Sequence, residues 1–455
     1  MNFKLFNVRD VNFRELYRGS AVALGVKLGG LFLGYVFSLI IAKFYGASVL
    51  GNFLIGVTIL NFLVLLSSFG METTIVAFIA KAKAMADFTG VKRVLKEIYR
   101  IVVPLSVILL VLAFIAINYF KFYFGELNPT AVRVTNILLI AAIPFTLLRI
   151  HTNFFRGLKR ILLFSVLNYL ALYSFSILFL LIAPFLIDFS EDLLAAIYIL
   201  AIFLSLLVSI FFVVREINGY PENEAKSYTC REQLPKYSYP ILISDLLKNS
   251  RNWMVLLLVG YLMTEKDVGV IGIALKLTFA PSLLINAVNS IAMPKFSEQF
   301  SLNNIDELKK TLAESARVIF WSSFPILVGI FFFSSFILRF LGNDFNLDSV
   351  LILILMTGVF FEVISGSSSY FLQMVGKQKV NTIFLFGSNV ILLGMLILLI
   401  PEYGIAGAVV SVSVSFILYS GALVIYAKYV MGFNTYYFPL KGRVKKMLRR
   451  GRVRG

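Results

Sequence analysis

Residues 243–262, ISDLLKNSRNWMVLLLVGYL, combine two kinds of sequence in one continuous run. The second half is as apolar as the interior of a lipid bilayer, whereas the first half carries Asp245, Lys248 and Arg251 at intervals of three residues. A hydrocarbon core about 30 Å thick is crossed by roughly 20 apolar residues in helical conformation. The stretch therefore predicts a membrane-spanning helix whose three charges need an explanation.

The composition extends this prediction to the whole chain. Its 455 residues are 59% hydrophobic with a mean hydropathy of +0.88, and apolar runs of membrane-spanning length recur throughout. Because the bilayer core holds no water to bond the peptide groups, each run must be a helix that satisfies its own backbone. The sequence thus predicts an all-α polytopic membrane protein with twelve transmembrane helices, at about residues 19–42, 48–70, 99–120, 134–152, 161–187, 192–214, 239–263, 268–293, 317–341, 349–374, 380–400 and 404–430.

Charged residues are distributed unequally between the predicted loops, and this indicates the orientation. When charged residues near the span ends are counted with the adjacent loops, and Glu72 with its span, the loops on the side of the termini hold 33 basic and 12 acidic residues, whereas the opposite loops hold 5 and 9. Positively charged loops stay in the cytoplasm, so we expect a multi-pass protein of the cytoplasmic membrane with both termini inside. The net charge of +18 reflects this topology, and nucleic acid is not expected as a partner. The basic tail is expected to contact anionic membrane lipids, or to act only as a topology signal.

The chain divides into two halves that resemble each other. GNFLIGVTILNF from Gly51 matches GVIGIALKLTFA from Gly269, and GLKRILLFSVLNYL from Gly157 matches GKQKVNTIFLFGSN from Gly376, at nearly one offset. Six spans per half make the repeats parallel, which predicts two pseudo-symmetric six-helix lobes around a central cavity. The predicted organisation is a cytoplasmic or interfacial leader at 1–18, an N-terminal lobe at 19–214, a cytoplasmic linker at 215–238, a C-terminal lobe at 239–430 and a basic cytoplasmic tail at 431–455.

The common sequence signatures of catalysis are missing from the chain. It contains no HExxH, GxSxG or P-loop motif and no paired carboxylates at metal-ligand spacing. With one cysteine, Cys230, and one histidine, His151, neither an internal disulfide nor a histidine-based metal site can form. We therefore expect a transporter of the secondary type that needs no cofactor or metal, and not an enzyme.

Seven ionisable residues fall inside the predicted spans, where each costs roughly 2.5–3.5 kcal/mol near a helix centre unless it faces water or a partner. On a helical wheel, the three charged residues of the 239–263 span share one face with Ser244, Asn249 and Asn252, opposite an almost wholly apolar face. This amphipathic pattern predicts that the polar face lines a hydrated cavity. The seven residues are Lys27, Glu72, Asp245, Lys248, Arg251, Lys276 and Glu362.

The charges of the 239–263 span have two interpretations. In the first, Lys248 and Arg251 bind an anionic substrate head group and Asp245 orients or neutralises them. Arginine grips a phosphate through two hydrogen bonds, whereas lysine acts as a point charge. In the second, Asp245 and Lys248 form a structural i, i+3 pair and Arg251 caps backbone carbonyl groups.

Three residues elsewhere in the spans are further candidates. Lys27 and Lys276 are predicted to bind substrate in the cavity, or else to extend toward the interface. Glu362 is a candidate for coupling to a proton or cation, as is Asp245, and the alternative for Glu362 is a pair with a lysine.

The segment RIHTNFFRGLKR at the inner end of the fourth span holds three more candidates. Arg149 and Arg156 are expected to be topology charges, or to meet a phosphate at the cavity mouth. His151 is expected at the membrane interface, with a role as proton relay as the alternative.

Residues 376–415, GKQKVNTIFLFGSNVILLGMLILLIPEYGIAGAVVSVSVS, resemble the polysaccharide-biosynthesis exporter family, the Wzx-type O-antigen flippases. The resemblance lies in a Gly-Lys pair opening span eleven and in an Ile-Pro-x-x-Gly-Ile-x-Gly-Ala corner into span twelve. Proline ends helices and glycine permits tight turns, which suits such a corner. Where the family often has an acidic-basic pair in span seven, this chain has Ser250 and Arg251. The corner consists of Ile400, Pro401, Gly404, Ile405, Gly407 and Ala408.

This resemblance implies membership of the multidrug/oligosaccharidyl-lipid/polysaccharide (MOP) exporter superfamily, whose members have two six-helix lobes and work by alternating access. The implied function is to flip a polyprenyl-pyrophosphate-linked oligosaccharide across the cytoplasmic membrane for surface polysaccharide or glycan assembly, with glycan-assembly enzymes as partners. The sequence leaves open a drug or metabolite exporter of the same superfamily, or a lipid II flippase, which typically carries additional spans. A membrane scaffold for glycan-assembly enzymes is the alternative from a different class.

Overall fold

The computed structural model describes residues 11–124, 128–185, 188–220, 232–342, 344–345 and 348–439, and these are almost entirely helical. Several predicted features lie outside the described residues: the first ten residues of the leader, residues 221–231 of the linker with Cys230, and residues 440–455 of the basic tail.

Eight helices form the N-terminal half of the described chain. A π-helical turn at Val166–Leu170 joins the sixth to the seventh. The helices are α1 (Val11–Ser68), α2 (Met71–Ala84), α3 (Phe88–Phe124), α4 (Pro129–Leu139), α5 (Ala142–Gly157), α6 (Ile161–Ser165), α7 (Ala171–Ile182) and α8 (Glu191–Asn218).

Six helices follow in the C-terminal half. Another π-helical turn, at Tyr426–Val430, ends the last of them. These helices are α9 (Gln233–Leu262), α10 (Glu265–Ser301), α11 (Ile305–Leu341), α12 (Ser349–Ser365), α13 (Ser368–Met374) and α14 (Gln378–Ile425).

The starts of three helices are capped by short polar side chains. Asn128 accepts a hydrogen bond from the Thr130 backbone N–H at 2.8 Å at the start of α4, which continues with a proline. Ser190 caps α8 and Asp348 caps α12 in the same way. Each cap satisfies one of the backbone donors that a helix start leaves unpaired, so the sequence sets these helix starts locally.

The two longest helices each contain one glycine with non-helical backbone angles. α1 has 58 residues and breaks at Gly46 (φ 89°, ψ 173°), and α14 has 48 residues and breaks at Gly404 (φ 56°, ψ −134°). Residues other than glycine avoid such positive φ values. The corner predicted at residues 400–408 is therefore present, although Pro401 stays within the helix and the chain turns at Gly404.

The described residues contain seven helices that are long and apolar enough to cross a membrane, or up to nine if each of two bent pairs counts as one span. The bent pairs are α4 with α5 and α12 with α13. α9 is not among the seven, and its last 18 residues include Asp245, Lys248 and Arg251. The prediction of an all-helical, multi-pass membrane protein is confirmed.

The chain forms two compact units. Unit 1 comprises residues 1–249 and 259–269, and unit 2 comprises residues 250–258 and 270–455. A buried cluster that includes Met71, Ile75 and Phe154 forms the core of unit 1. In unit 2 a buried cluster includes Phe296 and Phe371. α9 contributes residues to both units, and the predicted lobe boundaries stay a prediction.

Within unit 1, α1 and the start of α10 approach each other through glycines. A side chain at Gly51 would lie 1.7 Å from the carbonyl oxygen of Glu265, and one at Gly269 would lie 2.1 Å from that of Ala47. Both positions therefore require glycine. The contact is reciprocal, since Gly51 with Glu265 and Ala47 with Gly269 are separated by nearly the offset of the predicted repeat.

Candidate functional site

The first half of α9 belongs to unit 1 and carries a charged pair on its exposed face. The Lys248 Nζ lies 3.6 Å from the Asp245 carboxylate, as the i, i+3 spacing predicts. The Asn249 side-chain amide donates to the Asp245 backbone carbonyl at 2.8 Å. Lys248 and Asn249 are exposed and Asp245 is half-buried, so the charge of Lys248 is already partly neutralised within its own helix.

This part of α9 is fixed to the start of α2. Gly70 has φ 72°, and a side chain there would lie 2.3 Å from the carbonyl oxygen of Ser238. The Ser238 hydroxyl donates to the Thr74 hydroxyl at 2.8 Å. A hydrogen bond between buried hydroxyl groups is costly to break, so the chain places the Asp245–Lys248 pair on a rigid support.

Arg251, one turn further along α9, belongs to unit 2 and has a different environment. Its guanidinium carbon lies 4.4 Å from the centre of the Phe416 ring and 5.6 Å from that of Tyr419. Its Nη2 donates to the Ser388 hydroxyl at 3.4 Å. Its Nε is buried and has no hydrogen-bond partner within the part of the chain that the structure describes. The guanidinium is thus stacked and held while one of its donors stays open.

Glu362 of α12 provides the opposite charge in the same unit. It interacts electrostatically with Arg251, and the Ser282 hydroxyl donates to its Oε2 at 3.4 Å. Neighbouring hydroxyl groups are bonded elsewhere, since Ser365 donates to the Glu362 backbone carbonyl and Ser368 bonds Thr435. Glu362 therefore has a basic neighbour in Arg251.

Arg149 of α5 lines a small internal cavity of unit 1, of about 80 Å³. Its guanidinium lies 5.1 Å from the centre of the Phe145 ring, and it interacts electrostatically with Glu72. The cavity has room for a few water molecules or one small anionic group. Its polar and aromatic lining comprises Asn61, Phe145, Arg149, Thr152, Asn168, Tyr173 and Tyr198.

The remaining predicted site residues lie apart from these clusters or pack on aromatic rings. The Lys27 Nζ lies 5.5 Å from the Tyr169 ring centre in unit 1, and Arg156 is exposed and lies over Phe164. Asn252 is exposed, and Lys276 is half-buried in unit 2. The clusters around Asp245, Arg149 and Arg251 therefore hold only part of the predicted set.

His151, expected at the membrane interface or as a proton relay, is buried in the helix bundle at 4% exposure. The Ser209 hydroxyl donates to the Leu206 carbonyl, so the His151 Nδ1–H must donate to Ser209, at 2.7 Å. Nε2 then accepts from the Tyr99 hydroxyl at 2.5 Å. Both ring nitrogens of this neutral imidazole are satisfied, so the network is a structural one that joins α3, α5 and α8.

Sequence reasoning missed the residues of α14 that surround Arg251. The Ser388 hydroxyl and the Phe416 and Tyr419 rings contact the guanidinium, and Asn389 donates to the Ser250 hydroxyl at 2.9 Å. None of them is charged. The sequence feature that could have indicated them is the polar pair at 388–389 inside an otherwise apolar run. Attention to ionisable residues alone overlooks this pair.

The described residues contain no group of three or more His, Cys, Asp or Glu side chains that could hold a metal ion. The clusters can bind through charged groups, amides, hydroxyls and aromatic rings. This is the chemistry of recognition of an anionic or polar molecule.

Two curated proteins are similar to this chain. A probable low-salt glycan biosynthesis flippase, Agl15 of Haloferax volcanii, is 27% identical over 46% of this chain and 43% of its own length. A putative O-antigen transporter of Shigella flexneri is 26% identical over 32% of this chain and 34% of its own length. The alignments thus span less than half of these relatives.

Solved structures share the fold at low sequence identity. An inward-facing multidrug resistance MATE family transporter of the MOP superfamily superposes with a TM-score of 0.72 at 13% identity, over 91% of this chain and 98% of that chain. The lipid II flippase MurJ in an inward closed conformation also gives 0.72, at 14% identity over 89% and 86%. A family model described as polysaccharide biosynthesis protein matches residues 55–350, more than half of the chain. The chain belongs to this polysaccharide biosynthesis protein family.

Proposed function

We propose that the protein is a flippase that moves a polyprenyl-pyrophosphate-linked oligosaccharide across the cytoplasmic membrane by alternating access, for surface polysaccharide or glycan assembly. The family match and the flippase and O-antigen transporter names of two relatives support this substrate class. The protein is then a transporter of the secondary type and not an enzyme.

Twelve spans in two six-helix lobes are part of the proposal. Gly46 and Gly404 divide α1 and α14 into two spans each. α6 and α7 together count as one span, as does each bent pair, and α3, α8, α9, α10 and α11 add one each. The charge bias of the loops puts both termini in the cytoplasm.

The proposal rests mainly on the environment of Arg251, whose buried Nε has no hydrogen-bond partner within the described residues. A buried guanidinium donor without a partner costs free energy on the order of 1–3 kcal/mol or more, and a native protein keeps such a group only where something offsets that cost. An oxygen of the substrate pyrophosphate is a suitable acceptor, because charge-assisted bonds between arginine and phosphate are short and strong. The sugars and the lipid chain need no such cation.

Other residues of the predicted set have supporting roles in this proposal. Lys27, Lys276 and Arg149 add positive charge in the two units, and Lys248 adds less because Asp245 pairs with it. Anionic lipids at the basic tail and contacts with glycan-assembly enzymes belong to the proposal as partners. We do not assign a coupling ion to Glu362, since Arg251 is already its basic neighbour.

A drug or metabolite exporter is the second candidate, and the fold shared with a MATE transporter favours it. Such a protein would bind a cationic compound through Glu72, Asp245 or Glu362. Uptake of a cationic dye by proteoliposomes without any flipping of glycolipid would support this candidate.

Flipping in liposomes tests the proposal. Purified protein is reconstituted with a fluorescent polyprenyl-pyrophosphate oligosaccharide, and exposure of the glycan on the far leaflet is followed under imposed proton, sodium and potential gradients. We expect wild type to flip faster than protein-free liposomes and Arg251→Ala to lose this activity. Arg100→Ala is the control, because that arginine is half exposed and pairs with Glu97 on its own helix. Equal rates with and without wild-type protein would contradict the proposal.

A further inference from the structure

The two limbs of α14 meet at Arg251. Ser388 lies before the break at Gly404, and Phe416 and Tyr419 lie after it. The Ser415 hydroxyl donates to the Ser388 backbone carbonyl at 3.2 Å and joins the limbs beside the guanidinium. The chain thus surrounds a single side chain of α9 from both limbs of one broken helix.

Two of the three contacts with Arg251, those of Ser388 and Tyr419, are themselves fixed by a further hydrogen bond. The Ser388 hydroxyl donates to the Leu385 carbonyl at 2.9 Å, so its oxygen is turned to accept from Arg251. The Tyr419 hydroxyl donates to the Asn381 side-chain oxygen at 2.9 Å, which fixes the ring that faces the guanidinium. Ordering a free arginine side chain costs conformational entropy. These contacts offset that cost before any substrate arrives.

The contacts also determine which hydrogen-bond donor of the guanidinium lacks a partner. Phe416 lies 4.4 Å from the guanidinium carbon, a distance at which the ring covers one face. Ser388 occupies Nη2, whereas the buried Nε–H is unpaired within the described residues. The Nε–H is enclosed in this conformation, so an incoming oxygen must reach it in another state of the transport cycle, in the plane of the group where the hydrogen bonds of arginine point.

We propose that Ser388, Phe416 and Tyr419, which we call the Arg251 clamp, are positioning residues that hold the Arg251 guanidinium with its Nε–H directed at one anionic oxygen of the substrate pyrophosphate. This proposal rests on the proposed function and adds to it the side chains that make Arg251 a specific anion ligand. Attraction between the guanidinium and the Phe416 ring supplies the larger part of the positioning.

The test compares clamp variants in binding and in flipping. Binding of a polyprenyl diphosphate without sugars to the detergent-solubilised full chain is measured by titration calorimetry. We expect Phe416→Leu to weaken binding about tenfold and Ser388→Ala severalfold, whereas Phe416→Trp keeps wild-type affinity because it preserves the aromatic face. Phe332→Leu is the matched control, since Phe332 is 71% exposed on α11.

A double-mutant cycle separates positioning from packing. Phe416→Leu should have no further effect on binding in an Arg251→Gln background, because there is no guanidinium left to position. Equal losses in both backgrounds would overturn the proposal, as would wild-type affinity in Phe416→Leu or no binding of the diphosphate to wild type. If binding follows the expected pattern while no glycolipid is flipped, the clamp stands and the proposed function fails.

Discussion

Lys248 and Arg251 lie one turn apart on the same face of one helix, yet their surroundings differ. Lys248 is exposed and pairs with Asp245 on its own helix at 3.6 Å. Arg251 has no ionic partner on α9 and is held by a hydroxyl and two rings of α14. The first pair would form in an isolated helix, whereas the second arrangement requires the folded chain.

The difference shows how a membrane protein accommodates charge. An exposed i, i+3 pair is worth only a few tenths of a kcal/mol, and it leaves both side chains free to rearrange. A cation enclosed by aromatic rings loses its hydration, and the protein must replace that hydration with designated contacts. Where these contacts are incomplete, as at the Arg251 Nε, the site is suited to bind a ligand.

Replacing Arg251 by lysine should produce the largest effect. The charge remains, but the Nε–H and the planar group that stacks on Phe416 are lost. We expect flipping to fall about a hundredfold, which corresponds to ~3 kcal/mol and to the loss of a charged hydrogen bond. The flipping rate per amount of folded protein measures this. A wild-type rate in Arg251→Lys would show that charge alone matters and that the two cations are equivalent.

Gly404→Ala should have the next largest effect, because it disturbs the break that brings both limbs of α14 to Arg251. At φ 56° and ψ −134°, a Cβ adds strain of about 1–3 kcal/mol. We expect a lower thermal unfolding temperature together with weaker diphosphate binding. Gly394→Ala in the same helix is the control, since a Cβ there meets nothing within 4 Å. If both variants melt and bind like wild type, the break is not what positions the clamp.

Removing the Lys248 charge should have the smallest effect. Lys248→Met breaks an exposed ion pair, so we expect less than about a threefold change in flipping rate. Asp245→Asn should be similarly mild. If Lys248→Met lowered the flipping rate as much as Arg251→Ala, the two residues would contribute equally to substrate binding, and the difference described above would be wrong.

Much of the fold was predictable because its determinants are local. Apolar runs long enough to cross a bilayer predicted the helices. The Pro401–Gly404 corner and the Asp245–Lys248 pair were predictable because they depend on neighbours within a few residues. His151 differs from these features, because its hydrogen bonds are not local. Its place in a buried network depends on Tyr99 and Ser209, which lie on other helices.

The sequence alone determined that the chain is an all-helical membrane protein with charges inside its spans. Backbone groups without hydrogen bonds are so costly in lipid that long apolar runs must form helices. Only the tertiary structure decided what surrounds Arg251. Arg251 and its contacts are more than 130 residues apart in sequence, and no periodicity connects positions at that distance. The packing of α14 against Arg251 is what distinguishes this residue, which keeps a donor without a partner, from Lys248, which is paired with Asp245.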